Sequence, residues 1–413
     1  MKILIVFIAS YMTLLALTLP QSIDLAINNS PKVAISKSNI KYSKYLKDES
    51  IGVYHPTIYA GFNWQKLENK TSFTFTPTHN YSLGLKYNLF NGFSDYENVS
   101  SKNSELESSK LEKNSVVADL KLEVIRVYTD YLKAQKNIKT QEEQLTSLSK
   151  QYENTKVRYE QGIVAKNDLL LIDVDRLKAE QALIKAKSNL LVAKSNLENI
   201  IAMPIAEHDV IEDFDVSVEE MKDLTSLESQ MIKNRSEIKA MLFKNKSLLS
   251  QKDALTGNYL PKVNLEALHQ INDQARTSGS LSLQPKDQTT YGVNVTWNLY
   301  SGFRNRSMQK ALLEKSNQQN YLLHQLKLDL KNQLVQAYEN FKVAKSAKSV
   351  TTRAKESATE NYRISSDRYD YGYVDTLTLL VSQSNLTQAI NENNNAYYDL
   401  YLSYKVLQRI VGE

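Results

Sequence analysis

Cysteine is absent from the 413 residues, which excludes disulfides, thiol chemistry and a cysteine-borne N-terminal lipid. Chain breakers are scarce, with 11 Gly and 7 Pro, so long helices are favoured over many short loops. Neither sign of charge dominates. The 51 basic and 46 acidic residues are interleaved, which gives no basic stripe for nucleic acid and reads as solvated helix faces. The five histidines, His55, His79, His208, His269 and His324, are scattered, without an H-E-x-x-H run or a local cluster of ligand spacing. No G-x-S-x-G and no phosphate loop occurs. The carboxylates lie mostly at i,i+4 to Lys or Arg on helix faces, so no catalytic residue, metal site or cofactor is assigned and the chain is not read as an enzyme. What is present, 42% hydrophobic and 23% charged residues, suffices for a substantial core and excludes a disordered chain.

Long hydrophobic runs are equally rare, and there is one. MKILIVFIASYMTLLALTLPQS carries a single charge, Lys2, an apolar run from Ile3 to Leu19 and a helix stop at Pro20, the layout of a secretory leader. No A-x-A marks the cut, which is expected between Thr18 and Ser22. An uncleaved N-terminal anchor is the alternative, because a mostly apolar run of 17 residues reaches the lower edge of spanning length, although Ser10, Tyr11 and Thr13 weaken it. The chain is thus read as exported, to the periplasm, the medium or an outer membrane entered as strands.

The remainder repeats itself. YHPTIYAGFNWQ at 54–65 answers YLPKVNLEALHQ at 259–270, YNLFNGF at 87–93 answers WNLYSGF at 297–303, and RYEQGIV at 158–164 answers RYDYGYV at 368–374. The separations Gly92 to Gly162 and Gly302 to Gly372 are both 70 (162 − 92; 372 − 302), and neither interval contains an internal Gly or Pro. That absence is what an uninterrupted helix requires, and at 1.5 Å per residue each would extend about 100 Å. Val117, Leu120, Val124, Val127, Tyr131, Ala134, Ile138, Leu145, Leu148, Tyr152 and Tyr159 follow alternating steps of three and four, with Gln141 and Thr155 in the skipped places. Leu386, Ile390, Asn393, Tyr397, Leu400, Tyr404, Leu407 and Val411 do the same. This 3.5-residue period predicts left-handed coiled coils.

Shorter segments have period two. Tyr81, Leu83, Leu85, Tyr87 and Leu89 alternate with polar or small residues, as do Tyr291, Val293, Val295, Trp297 and Leu299; Ile58, Ala60, Phe62 and Trp64 share one face, while KVNLEALHQI is less clean. Strands of about ten residues with one apolar face suit a transmembrane barrel, and equally a half-buried sheet. Edge strands favour the barrel: two strands per half make four per chain, and four cannot close or pair their edges in lipid. Three chains would supply twelve, enough for an open lumen. The boundaries are a leader at 1–20, a first repeat at 21–203 (strands about 56–66 and 80–90, long helix about 94–161, helix about 165–202), an acidic linker at 204–226, and a second repeat at 227–413 (strands about 261–271 and 289–299, long helix about 303–371, helix about 374–411). Each half is expected to run short helix, strand, loop, strand, long helix, tip, helix.

The duplicated Y-x-P (Tyr54, Pro56; Tyr259, Pro261), the duplicated L-[FY]-x-G-F (Leu89 to Phe93; Leu299 to Phe303), the Gly-centred tips at Gly162 and Gly372, and the opening SIDLAINNSP at 22–31 together resemble the TolC family of outer-membrane efflux proteins over nearly all of the chain beyond the leader. The resemblance implies an α+β membrane protein that forms a homotrimer, with a 12-stranded β-barrel in the lipid of a Gram-negative outer membrane and a periplasmic α-helical tunnel. It implies an exit duct of a tripartite efflux pump or a type I secretion system, docked to a periplasmic adaptor and an inner-membrane pump of RND or ABC type. A soluble periplasmic coiled-coil scaffold is the alternative.

By the same resemblance Gly92, Phe93, Gly302 and Phe303 are strand-to-helix turns at the membrane interface, where Gly permits the turn and Tyr87, Phe90, Trp297 and Tyr300 add an aromatic belt. Gly162, Ile163, Gly372 and Tyr373 become the adaptor-contact tips. Asp168 and Tyr369 match family positions at the periplasmic entrance. Val374 stands where relatives place an arginine, and Thr378 and Val381 where they place two aspartates, so the family's closing network does not transfer intact. Closure is then expected from packing near Leu377 and Leu380, with Asp370 and Asp375 either tuning cation preference or serving as exposed tip caps. The linker, with Glu207, Asp209, Glu212, Asp213, Asp215, Glu219, Glu220 and Asp223 against Lys222, reads as a solvated connector, which the resemblance places in a belt around the tunnel's middle.

Overall fold

A computed structural model describes residues 17–66, 78–206, 210–274 and 287–413. The expected leader, up to Ala16, lies outside the described residues, as do Glu207, His208 and Asp209 of the linker. The chain is mostly helical with one small antiparallel sheet. In order it forms α1 (Leu19–Asn29), α2 (Pro31–Gly52), β1 (Thr57–Gln65), β2 (Thr78–Asn91), α3 (Ser94–Glu160), α4 (Lys166–Ile201), α5 (Leu224–Asn234), α6 (Ser236–Ala254), a 3₁₀ turn (Leu255–Tyr259), β3 (Lys262–Gln274), β4 (Asp287–Thr296), α7 (Arg304–Asp370) and α8 (Thr376–Val411).

The duplication is visible in the lengths. Helices α1 and α5 both have 11 residues, α3 and α7 both have 67, and α4 and α8 both have 36. Each half opens with two short helices where one was expected. The break falls at Ser30 in the first half, where Pro31 disfavours helical geometry in the residue before it. Arg235 breaks the second half with nearly the same backbone, ψ 119° against 124°, and its guanidinium donates to the Arg409 carbonyl at 2.6 Å.

Two compact units result. One comprises residues 36–112 and 237–326, and holds the sheet, most of α2, all but the first residue of α6 and the first parts of α3 and α7. Its strands run in the order β1-β2-β3-β4, all antiparallel. The register aligns Ile58, Leu85, Ala267 and Tyr291 across the sheet, then Phe62, Tyr81 and Ile271, and then Tyr87, Leu265 and Val293. The alternate rows are polar or small: Thr57, Lys86, Glu266, Gly292, and Asn88, Asn264, Asn294. The uneven KVNLEALHQI is therefore a two-faced strand, with Val263, Leu265 and Ala267 in the apolar rows. It has two exceptions: Leu268, in the row of Gly84 and Thr290, and His269, opposite Leu83, whose ring hydrogen-bonds Thr289 and faces Asp287. Strand β4 stops at Thr296, short of the expected 299. Among the described residues nothing pairs with 297–301 on the far side, whereas β2 runs to Asn91 because β3 accompanies it. Beside the sheet, α3 meets α6 along hydroxyls and small residues: Ser101 Oγ lies 2.8 Å from Ser247 Oγ, Ser100 Oγ 3.1 Å from Ser250 Oγ, and Ser108 Oγ donates to Ala240 O at 3.1 Å.

The other unit comprises residues 1–35, 113–236 and 327–413. Its main core gathers Leu17, Ala26, Val33, Leu120, Val124, Tyr128, Leu132, Leu197, Ile201, Ile211 and Tyr398. Tyr128 and Leu132 are fully buried, while the expected stripe residues Val127 and Tyr131 are half-buried and Tyr159 is exposed. The coiled-coil period followed one contact face of α3. The linker and α1 bury a second face, and this shifts the buried stripe. Among the described residues no helix is long and apolar enough to cross a membrane. That is a statement about helices alone.

Candidate functional site

The sequence-predicted residues lie in three places: the two helix tips, the starts of α4 and α8 that follow them, and the strand-to-helix turns. The tips share one backbone solution. After α3, Gly162 N–H donates to Tyr159 O at 2.8 Å and Ile163 N–H to Arg158 O at 2.9 Å; after α7, Gly372 N–H donates to Tyr369 O at 3.0 Å and Tyr373 N–H to Arg368 O at 2.8 Å. These paired bonds cap the last carbonyls of each helix and need a left-handed residue, supplied by Gly162 at φ 74° and Gly372 at φ 75°. Ile163 and Tyr373 project into solvent beyond them, and the Tyr371 and Tyr373 rings lie 6.4 Å apart.

The helices that leave the two tips start differently. Ala165 leaves α4 without a side-chain cap, and Asp168 sits partly exposed in the first turn. Asp375 caps α8 by accepting from Thr378 N–H at 2.8 Å. The Thr378 hydroxyl and N–H hold its carboxyl below the usual carboxylate range. Asp370, exposed at the end of α7, makes no such cap. Tyr369 lies in the last turn of α7. It is buried, its hydroxyl 3.2 Å from Thr155 Oγ1 and its ring under the Arg158 guanidinium at 5.5 Å, so it joins α7 to α3.

Leu380 is likewise buried within the chain. It packs in a second core with Leu148, Ile172 and Ala179, because it lies one turn from Thr376 on the face of α8 turned to α4. Leu377 and Val381, four apart on another face, are both exposed, with Thr378 beside them. An exposed apolar pair therefore stands where Leu377 and Leu380 were expected.

The strand-to-helix turns place two consecutive residues in the left-handed region, Gly92 and Phe93 at φ 63° and 65°, Gly302 and Phe303 at φ 63° and 61°. Edge-on ring contacts brace both: Phe90 with Phe93 at 5.2 Å, and Tyr300 with Phe303 at 5.6 Å. Trp297 Nε1 donates to Tyr259 O at 3.0 Å.

The linker is not a free connector. Leu17 bridges Ile211, and the single Tyr128 O–H proton is shared between Leu17 O at 2.9 Å and Glu212 O at 2.6 Å. Tyr398 OH donates to Asp213 Oδ1 at 2.8 Å, Lys136 pairs with Asp213 at 2.7 Å, and Val216 N–H donates to Tyr397 OH at 2.9 Å. Phe214 inserts among Tyr128, Tyr398 and Tyr401. Burial raises the Tyr128 and Tyr398 pKa values. Burial opposes charge on Asp213, but the bonds from Lys136 and Tyr398 outweigh it and keep that carboxyl below its ordinary value. Sequence reasoning missed this clasp; its signal was the adjacent Tyr397 and Tyr398, one on the expected stripe and one off it. Among the described residues no group of His, Asp and Glu could hold a metal ion.

Two strands, a 67-residue helix and a 36-residue helix, written twice, define a duplicated α+β fold. The sequence profile of the outer membrane efflux protein family matches residues 56–202 and 227–413, and the chain belongs to that family, one of outer-membrane channels rather than enzymes. The fold is similar to that of the Vibrio cholerae outer membrane protein VceC (TM-score 0.79, 15% identity, 95% of this chain and 96% of that one). It is likewise similar to CusC (0.82, 12%, 95% and 92%) and to the Campylobacter jejuni outer membrane channel CmeC (0.81, 14%, 95% and 85%). No curated protein matches it in sequence.

Proposed function

We propose that three copies close their sheets into a 12-stranded barrel, continue it as a twelve-helix periplasmic tunnel, and serve as the passive exit duct of a tripartite efflux pump or type I secretion system. The observation that carries this reading is the sheet. Its rows of apolar side chains are uncovered on one face, its other face is polar, and both edge strands, β1 and β4, are unpaired on their outer sides. Such a sheet suits lipid outside and water inside once the edges are paired.

In this reading the tips at Gly162, Ile163, Gly372 and Tyr373 meet a periplasmic adaptor, which couples the duct to an inner-membrane pump of RND or ABC type. The entrance is ringed by Asp168, Asp370, Asp375 and Thr378 and closed by Leu377 and Val381, because a narrow apolar constriction excludes ions by dewetting. Tyr369 and Leu380 support that ring from within each chain. The test is the mass and membrane behaviour of the full chain. Detergent-purified protein should have about three times the mass of the mature chain, and the membrane fraction should keep it through a carbonate wash. A folded monomer released by carbonate would identify a soluble scaffold instead.

A further inference from the structure

The two halves superpose in sequence at constant offsets: 205 residues for the segment before the first strand (257 − 52 for the glycines of G-x-Y-x-P) and 210 from the strand-to-helix turn onward (302 − 92). One contact in the sheet-bearing unit uses both. The Gly92 turn and the start of α3 pack on the end of α6. A Cβ on Gly92 would collide with the Gly257 backbone, and one on Gly257 with Gly92 O and Ser94 Oγ. Ser94 Oγ donates to Ala254 O at 2.6 Å. Gly92, Ser94, Ser101, Ser247, Ala254 and Gly257 are all buried there.

The offsets convert this into a second contact whose halves lie at opposite ends of the repeat. Gly302 corresponds to Gly92, and Gly52 to Gly257; both meet open space within 4 Å. Arg304 corresponds to Ser94 and Glu49 to Ala254, while Ala311 corresponds to Ser101 and Tyr42 to Ser247. Gly302, Arg304 and Ala311 are exposed, as are Tyr42, Glu49 and Gly52. The surfaces are thus built to the pattern of a buried interface and left uncovered. Their departures from the pattern are complementary: where the first copy has a hydroxyl on a carbonyl, the second has a cation and an anion.

We infer that the Gly302 turn and the start of α7 dock on the end of α2 of a second copy of this chain, with Gly302 against Gly52 and Arg304 paired to Glu49 of that copy. The inference rests on the trimeric reading and names the joint that builds it. The same correspondence continues β4. In-chain, Phe90 and Asn91 pair with Val263 and Lys262, so Tyr300 and Ser301 pair with Ile58 and Thr57 of the next copy. Residues 297–301, which form no strand in a single chain, become one on assembly.

The chain has no cysteine, so disulfide mapping needs no background removal. Ser101 and Ser247 oxygens are 2.8 Å apart, a separation compatible with a disulfide at their counterparts. The full-length variant Tyr42→Cys with Ala311→Cys, oxidised in detergent, should run on a non-reducing gel mostly at three times the chain mass. Reductant should restore the single-chain band, and each single variant should stay there throughout. Gly52→Ala should lose the trimer while keeping the helical signal of the chain, and Glu49→Arg should weaken it until Arg304→Glu restores it. A monomeric wild type would overturn the trimeric reading and this joint together. A trimeric wild type that neither cross-links through Tyr42→Cys and Ala311→Cys nor responds to Gly52→Ala would overturn the joint alone. If the cysteine pair fails to fold, the Glu49→Arg, Arg304→Glu exchange decides.

Discussion

Single residues here change meaning with the face they occupy. Asp213 reads in the sequence as one more solvated carboxylate, yet Tyr398 and Lys136 make it the anchor of the linker. Removing the Tyr398 hydroxyl as Tyr398→Phe should cost roughly 1 kcal/mol, at the low end for a hydrogen bond to a charged group because Asp213 is part exposed. A thermal melt of the variant measures it. The sign with pH follows from the depressed folded pKa of Asp213. Its stabilisation is complete above the unfolded value of about 4 and is lost as pH falls through the folded one. Protease cleavage within residues 210–223 should therefore accelerate as pH drops below about 4, and Tyr398→Phe should move that onset upward. An onset unmoved by the variant would show that Asp213 does not hold the strap.

Elements divide into those whose pattern dictates their place and those whose place depends on neighbours. On β2 and β4 the alternation alone assigns the faces, and the register agrees with it across four strands. Leu85→Arg or Val295→Arg should therefore impair assembly, by about 2–4 kcal/mol for a site near a bilayer midplane. Asn294→Lys should assemble normally, as measured by heat-resistant oligomer on gels. Helix α8 was less legible. Leu377, Leu380 and Val381 are equivalent as letters, and no period on α8 alone tells which packs on Ile172 and which faces solvent. Leu380→Ala should cost roughly 2–5 kcal/mol of stability as a core truncation. Leu377→Ser with Val381→Ser should leave the melting point nearly unchanged and raise resting conductance in planar bilayers. The lengths of α3 and α7 were readable because a Gly marks both ends and neither Gly nor Pro interrupts the interval. The break at Ser30 was marked by Pro31, but the break at Arg235 and the tyrosine clasp were not legible, since both depend on packing between segments far apart in sequence.

At the scale of the molecule, the start of the fold bears on export. Thr18 and Gln21 form a reciprocal cap on α1, and Leu17 is buried and bridged to Ile211. A leader cut between Thr18 and Ser22 would remove a core residue and that cap, which is worth about 1 kcal/mol. The mature N-terminus is therefore expected at or before Leu17, and mass spectrometry of the membrane-extracted protein reads it directly. A mature chain beginning after Thr18 would show that the cap and the Leu17 bridge are dispensable.

The serine seam between α3 and α6 sets how that part of the chain responds to force. Interlocked leucines resist sliding, because a displaced knob leaves a void. A hydroxyl has another choice: Ser104 already donates to Ser100 O and Ser109 to Glu105 O in their own helix. A serine that loses its partner across the seam can turn back to such a carbonyl and leave no orphaned donor. Losing one hydrogen bond across the seam therefore costs less than orphaning a buried donor outright, beside a sheet whose rows must hold their register.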